Sequence, residues 1–169
     1  MATGYQPFRT PWAVGLANQF NLRTLPQHAD QVLIAGGIYQ ALFIGVSPAL
    51  SKAIIPDIYT KFDDRTRTNW NSRVVGFVQA VFICGKALQV ITSDPSRHTA
   101  TVQERLWGYS PALGEVQAYA AGYFLWDIYV SARHQDLFGP TSLAHAVCAF
   151  LVTMVGFVSK AMPYLRIKG

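Results

Sequence analysis

The chain has 169 residues, of which 51% are hydrophobic and only 14% charged, with a formal net charge of +5. A soluble domain usually carries about a quarter charged residues. This balance excludes a disordered chain, a disulfide-stapled mini-protein and a coiled coil, and an ordinary soluble enzyme fits it poorly. Cys84 and Cys148 lie in separate apolar runs, so the sequence predicts neither a disulfide framework nor a metal site.

Four apolar stretches predict helices that cross a membrane. They run from Val32 to Leu50, from Val74 to Ile91, from Val116 to Ala132 and from Leu143 to Met162. The first and fourth have the length of about 20 residues that a span needs, and the other two are shorter and carry a charge each. The predicted fold is therefore an all-α polytopic transmembrane bundle of about four spans. A soluble bundle of very apolar helices is the competing interpretation.

The polar segments set the expected domain limits. Residues 1–30 are predicted to form a polar N-terminal tail, since they hold two arginines, an aspartate and three prolines and no apolar core of signal-peptide length. Residues 31–165 form the predicted membrane domain, and residues 166–169 a C-terminal tail. The histidines of the polar segments, His28, His98 and His134, are expected to be exposed.

Small residues recur four apart in three of the stretches. The sets are Gly37, Ala41 and Gly45 in the first, Gly76, Ala80 and Cys84 in the second, and Ala118 and Gly122 in the third. Small residues at this spacing allow helix backbones to approach closely in lipid. They predict tight packing within the bundle, or a homo- or hetero-oligomer through these faces.

Four polar side chains lie inside the predicted spans: Gln79, Lys86, Asp127 and His145. A charge at the centre of a span costs about 2.5–3.5 kcal/mol, so it needs a role. Spans two and four start on the side where span three ends. Gln79, Asp127 and His145 are therefore expected within about one helical turn of the same depth. Lys86 is expected about 10 Å deeper.

The third span also carries an aromatic stripe that ends in the carboxylate of Asp127. With the polar residues, this stripe gives a predicted lipid-binding set of Gln79, Lys86, Tyr119, Tyr123, Trp126 and Asp127. In an enzyme, Asp127 would orient His145, which would act as the general base toward an amine or hydroxyl. The simpler interpretation is an interhelical hydrogen bond that holds the bundle together. No zinc spacing, phosphate loop or nucleic-acid-binding pattern is found, and no cofactor is predicted.

Several short motifs together resemble the TLC domain, which translocation-associated membrane proteins, ceramide synthases and a neuronal ceroid protein share. The matching stretches are NWNSRVVGFVQA (69–80), WGYSP (107–111), AAGYFLWDIYV (120–130) and LAHAVCAF (143–150). Gly122, Tyr123, Phe124 and Asp127 resemble the family's Gly-Tyr-Phe-x-x-Asp signature. Trp70 and Arg73 resemble its Trp-x-x-Arg entry to a span. The similarity is greatest to the uncharacterised fungal and animal branch.

The resemblance implies an integral membrane protein of the endoplasmic reticulum with a role in lipid homeostasis. It also implies further spans after Met162, so the chain is expected to be a shortened TLC protein. The leading hypothesis is binding or regulation of membrane lipids. The first alternative is a sphingoid-base N-acyltransferase with His145 and Asp127 as its catalytic residues and acyl-CoA as co-substrate. The second is a cargo adaptor or translocon-associated interaction protein.

This chain departs from the family pattern at two positions. Many members have a histidine where this chain has Gln79, and many have a His-His pair where it has His145 and Ala146. These departures favour the two non-enzymatic hypotheses.

Overall fold

The computed structural model describes residues 11–93 and 110–158, and this part of the chain is helical with no strand. The helices are α1 (Pro11–Phe20), α2 (Ala29–Ala41), α3 (Ser47–Ile54), α4 (Pro56–Tyr59), α5 (Asp64–Ser93), α6 (Pro111–Arg133) and α7 (Gln135–Val155). A 3-10 turn at Leu25–Gln27 precedes α2, and a π-helical segment at Leu42–Val46 joins α2 to α3. The predicted all-α fold is confirmed.

Three of these helical segments are long and apolar enough to cross a membrane: Ala29–Ile54, Asp64–Ser93 and Gln135–Val155. They contain the first and second predicted stretches and most of the fourth. In each segment, at most 22% of the most apolar 18 residues are buried against the rest of the chain. Their apolar side chains therefore face outward, as expected for helices surrounded by lipid tails.

The third predicted stretch lies on α6, the central helix. It is 23 residues long, which corresponds to about 35 Å. It packs most extensively against α2 and α7, and less extensively against α5. Because protein surrounds much of α6, this helix can carry polar residues that a lipid-facing span would not tolerate. Unlike the three segments above, α6 has no stretch that is apolar enough to identify it as a span by composition.

α6 runs antiparallel to both α5 and α7, as side-chain contacts show. Along α5, Phe82 and then Lys86 meet Tyr119 and Glu115 of α6, in reverse order. The bundle thus has two ends. The Arg133 end holds the beginning of α5, the end of α6 and the beginning of α7. The Ser110 end holds the opposite termini.

The small residues are predicted to allow tight packing between helices. Within the chain, this prediction is confirmed for Ala118 and Gly122 and wrong for the stripe of Gly37, Ala41 and Gly45. Ala118 and Gly122 are buried, and Gly122 touches α2. In α2 itself it is Gly36 that faces Gly122, whereas a β-carbon on Gly37 or Gly45 would meet nothing within 4 Å. The stripe that contains Ala41 is therefore an outer face. In α5, Gly76 faces Tyr123, but Ala80 and Cys84 are exposed.

Two helices deviate from regular geometry where proline removes a backbone donor. The π-helical segment directly precedes α3, where Pro48 cannot donate to the carbonyl one turn earlier. α7 bends at Gly139, which has φ 73° and ψ 169°, immediately before Pro140. This left-handed conformation is available to glycine and avoids the clash that proline imposes on a helical predecessor.

Polar side chains join α3 and α4 to the start of α5 at the Arg133 end. The hydroxyls of Ser47 and Tyr59 donate to the Asn71 side-chain oxygen at 2.9 and 3.1 Å. The Trp70 indole donates to Ser51 Oγ at 2.9 Å. Residues 51–73, the polar segment between the first two apolar stretches, are thus largely helical and include the start of α5.

The described part of the predicted N-terminal tail is folded against the Ser110 end. Leu22 and Leu25 are buried with Phe157, which follows α7. The hydroxyl of Thr24 donates to the Phe157 carbonyl oxygen at 3.1 Å. The predicted C-terminal tail, residues 166–169, lies outside the described residues.

Candidate functional site

Asp127 of α6 and His145 of α7 lie on adjacent helices and interact electrostatically. The carboxylate of Asp127 interacts electrostatically with His145 and is hydrogen-bonded by the side chain of Ser131, one turn along α6. Asp127 is half-buried and His145 is exposed. An acidic group and an imidazole on neighbouring helices are thus close enough to interact electrostatically, although among the described residues no ion pair within 4.0 Å joins them.

The opposite side of Asp127 borders α5 through Tyr123. A β-carbon built on Gly76 of α5 would lie 3.2 Å from the Tyr123 hydroxyl, so the phenol lies directly over this glycine. Asp127 follows Tyr123 by one turn toward the Arg133 end. The carboxylate consequently lies on the face of α6 between α5 and α7, a region that is called the Asp127 cleft below.

The structure divides the predicted polar cluster in two. Gln79 is buried, and its side-chain oxygen accepts a hydrogen bond from the Tyr39 hydroxyl of α2. Within the described part of the chain, no hydrogen bond joins Gln79 to Asp127 or His145. Gln79 therefore ties α5 to α2 deep in the bundle. The sequence did not identify Tyr39 as the partner of Gln79, because a tyrosine hydroxyl is equally common at a protein surface.

The aromatic stripe packs mainly against other helices. Trp126 is buried, and its indole donates to the side-chain oxygen of Gln40 at 3.0 Å. Its ring also lies 5.8 Å from that of Phe43. Tyr119 meets Phe82 of α5 edge to face at 5.2 Å. These rings form the core between α2, α5 and α6, which leaves little of Trp126 for an acyl chain.

Lys86 lies at the other end of the bundle from Asp127. Its ammonium is 3.9 Å from a carboxylate oxygen of Glu115 on α6, and both border a cavity of about 480 Å³ near the Ser110 end. Lys86 is ten residues beyond Gly76, whereas Asp127 is four residues from Tyr123 in the opposite direction. At 1.5 Å per residue, the two charges are separated by roughly 20 Å along the bundle axis, so the predicted depth difference of about 10 Å is wrong. Lys86 and Asp127 thus belong to different places.

The structure corrects the expectation for His28, which is buried rather than exposed. Its Nδ1 lies 2.7 Å from the side-chain oxygen of Gln31, and its ring packs against Gly114 and 6.1 Å from Phe157. The small size of Gly114 makes room for the ring, a relationship that no local pattern signals. His134 is half-buried against Phe138, and His98 lies outside the described residues.

No three His, Cys, Asp or Glu side chains in the described ranges are arranged to hold a metal ion. The groups that the Asp127 cleft offers are a carboxylate, an imidazole and hydroxyls. These groups can bind an amine or hydroxyl, or transfer a proton.

The sequence model of the TLC domain matches residues 69–167 of the chain, more than half of its length. This chain belongs to the TLC domain family. The matched range includes most of α5 and all of α6 and α7, and with them both Asp127 and His145. Apolar helices of spanning length together with this domain indicate an integral membrane protein.

Two curated fungal relatives match this TLC protein over most of its length. An uncharacterised TLC domain-containing protein of Schizosaccharomyces pombe is 32% identical over 155 residues, which are 90% of this chain and 49% of the relative. Topoisomerase I damage affected protein 4 of Saccharomyces cerevisiae is 25% identical over 165 residues, 92% of this chain and 57% of the relative. The chain thus spans about half the length of these relatives. No solved structure matches it significantly.

Proposed function

We propose that this TLC protein binds membrane lipids and regulates their level or distribution, with Asp127 and His145 contacting the headgroup. The carrying observation is that these two side chains, on adjacent helices, interact electrostatically, with Asp127 half-buried and His145 exposed. Within a span, ionisable groups usually mark a functional site. The membership in a family that is typically linked to lipid metabolism agrees with this proposal.

The depth of the pair suits a lipid headgroup. Asp127 lies six residues before Arg133, the last residue of α6, and His145 lies five residues after Pro140 at the bend of α7. Both are therefore roughly 8–9 Å inside the Arg133 end. A headgroup bound at the interface could reach this level while its chains remain in the hydrocarbon region.

The outer face of α7 offers a path for the acyl chain. Leu151, Val152 and Val155 are 58–72% exposed and follow His145 toward the bundle centre and the Ser110 end. A chain that continues from the headgroup at His145 would lie along these side chains. We therefore propose this path for the acyl chain instead of the aromatic stripe of α6, because Trp126 is only 4% exposed.

The test is the lipid profile that co-purifies with the full chain from membranes. Replacing Asp127→Asn or His145→Ala should deplete one lipid class severalfold relative to bulk phospholipid. Asp136→Asn is the matched control, because this carboxylate at the start of α7 is exposed and outside the cleft. A profile that neither cleft substitution changes, in protein that remains folded, would refute the proposal.

The electrostatic interaction of Asp127 with His145 also favours a second candidate, N-acyl transfer from acyl-CoA to a sphingoid base. The amine would attack the thioester carbonyl, His145 would accept its proton, and the CoA thiolate would leave. Purified protein should then form N-acyl product at a rate that His145→Ala lowers at least a hundredfold. Activity that survives this substitution would remove His145 from such a mechanism.

Localisation and partners extend the proposal. We propose residence in the endoplasmic reticulum, which a fluorescent tag with an organelle marker would test. The outer stripe of Gly37, Ala41 and Gly45 could serve a homo- or hetero-oligomer. Gly37→Leu enlarges this stripe and should lower cross-linking between chains, and an unchanged yield would argue against the face. Recovery of client proteins instead of lipids would favour the interaction-protein alternative.

A further inference from the structure

We infer that the lipid bound in the Asp127 cleft carries a phosphate together with a primary amine, with Arg73 of α5 binding the phosphate. This inference rests on the proposed lipid-binding function and names the class of its ligand. It begins from the position of Arg73, a residue that the sequence marks only through its Trp-x-x-Arg motif.

The register of α5 against α6 places Arg73 across the cleft from Asp127. The contact between Gly76 and Tyr123 aligns the two antiparallel helices. Arg73 precedes Gly76 by three residues and Asp127 follows Tyr123 by four, so both lie one turn from the contact in the same direction. Arg73 also interacts electrostatically with Tyr123, as Asp127 does.

The two opposite charges nevertheless do not pair with each other. In the described part of the chain the ion pairs within 4.0 Å are Arg67–Asp64 and Lys86–Glu115, and neither involves Arg73. The exposed guanidinium of Arg73 makes a long hydrogen bond of 3.4 Å from Nε to the side-chain oxygen of Asn69. Most of its donors therefore remain available to a ligand.

Arg73 also lies at headgroup depth. It is six residues beyond Arg67 on α5, and Asp127 is six residues before Arg133 on α6. Arg73 thus lies about 9 Å farther from the Arg133 end than Arg67 does, and Asp127 lies about 9 Å farther from it than Arg133 does. A planar guanidinium at this level suits a phosphate, which it can bind through two parallel hydrogen bonds.

The gap between Arg73 and Asp127 favours a headgroup with both charges. A phosphate at Arg73 and an ammonium at Asp127 would each meet an opposite charge, with His145 beside the amine. A sphingoid base without phosphate would leave Arg73 without a partner. A phosphatidic acid would place no cation near Asp127. Phosphatidylethanolamine has the required chemistry.

The experiment uses the full chain in phosphatidylcholine nanodiscs doped with one diazirine-labelled lipid. The three probes are phosphatidylethanolamine, phosphatidic acid, which lacks the amine, and sphingosine, which lacks the phosphate. Wild-type protein should be labelled most by phosphatidylethanolamine. Arg73→Gln should lower labelling by phosphatidylethanolamine and phosphatidic acid about tenfold and leave sphingosine labelling unchanged.

Asp127→Asn should show the complementary pattern, with less labelling by phosphatidylethanolamine and sphingosine but not by phosphatidic acid. Arg133→Gln is the matched control, because this exposed arginine at the end of α6 should not affect labelling. Arg73→Lys should lower labelling less than Arg73→Gln, since it keeps the charge but loses the planar fork.

The outcomes separate the two proposals. If Asp127→Asn lowers labelling and Arg73→Gln behaves like Arg133→Gln, the phosphate assignment is wrong while lipid binding in the cleft stands. If neither substitution changes the labelling by any probe, both proposals fail. Equal loss for all three probes with Arg73→Gln would also overturn the assignment, because it would indicate a general effect on the bundle.

Discussion

A β-carbon built on Gly122 would lie 2.6 Å from the carbonyl oxygen of Val32, so only a hydrogen atom fits where α2 crosses α6. The same β-carbon would also lie 2.6 Å from that of Ala35. This close approach brings the backbones together without any large side chain, as small residues do in lipid-embedded bundles. Farther along α2, it places Tyr39 where it bonds to Gln79 of α5, and Gln40 where it bonds to Trp126 of α6.

Gly122→Ala should destabilise the bundle by about 1–3 kcal/mol, because the new methyl group meets backbone that cannot move alone. Thermal unfolding of the detergent-solubilised protein measures this loss. Gly36→Ala is the matched control on the facing helix, since its β-carbon would meet the Gly122 oxygen at an ordinary 3.5 Å. Equal stability of the two variants would contradict the close approach.

Tyr39→Phe should destabilise the protein by about 1 kcal/mol, because it leaves the buried Gln79 side chain without its hydroxyl donor. Gln79→Leu should remove the same hydrogen bond, and the double variant should cost less than the sum of the two singles. The measurement is a double-mutant cycle by thermal unfolding. Strict additivity would show that the two side chains are not coupled.

The helices of the membrane domain could be predicted from the sequence, whereas many of their contacts could not. Long apolar runs identify spans because the bilayer demands length and hydropathy. Which face of a span turns inward depends on the rotation of each helix, and Gly36 rather than Gly37 meets the neighbour. The two glycines are adjacent in sequence, so spacing alone cannot distinguish them.

The same limitation applies to the candidate site. Depth could be derived from residue counts only in part: the counts bring Asp127 and His145 to a common level, but the contact of Gly76 with Tyr123 places Gln79 roughly 10 Å from Asp127 along the bundle axis. Gln79 faces Tyr39 on another side of the bundle, which only the helix arrangement reveals. Arg73 escaped the site prediction because an arginine near a span end is usually interpreted as an interfacial anchor.

Gly139→Ala should destabilise the protein by about 1–2 kcal/mol, although a β-carbon there would meet nothing within 4 Å. The cost arises from the backbone, since φ 73° with ψ 169° is strained for any side chain. Gly37→Ala is the matched control, because this glycine is also in open space but lies in regular helix. Thermal unfolding should show a lower melting temperature for Gly139→Ala than for Gly37→Ala. Equal melting temperatures would argue against the bend of α7 at Gly139.

The stability of the Arg133 end should depend on pH through Asp63, which directly precedes α5. Hydrogen bonds from the side chain and backbone N–H of Thr66 hold the pKa of Asp63 below its ordinary value. The backbone bond is 3.2 Å long, and the Asp63 carbonyl accepts from the Arg67 N–H at 2.9 Å, as expected of a helix-capping residue.

Because the folded-state pKa is lowered, the capping contribution is complete above the unfolded pKa of about 4 and is lost as pH falls through the folded value. Asp63→Ala should therefore be less stable than wild type at pH 7, and the difference should shrink as the pH falls toward 3. Asp57→Ala removes an exposed carboxylate from α4 and controls for the change in net charge. Denaturation curves between pH 7 and pH 3 measure the effect, and a difference that stays constant over this range would show that Asp63 does not cap α5 as a carboxylate.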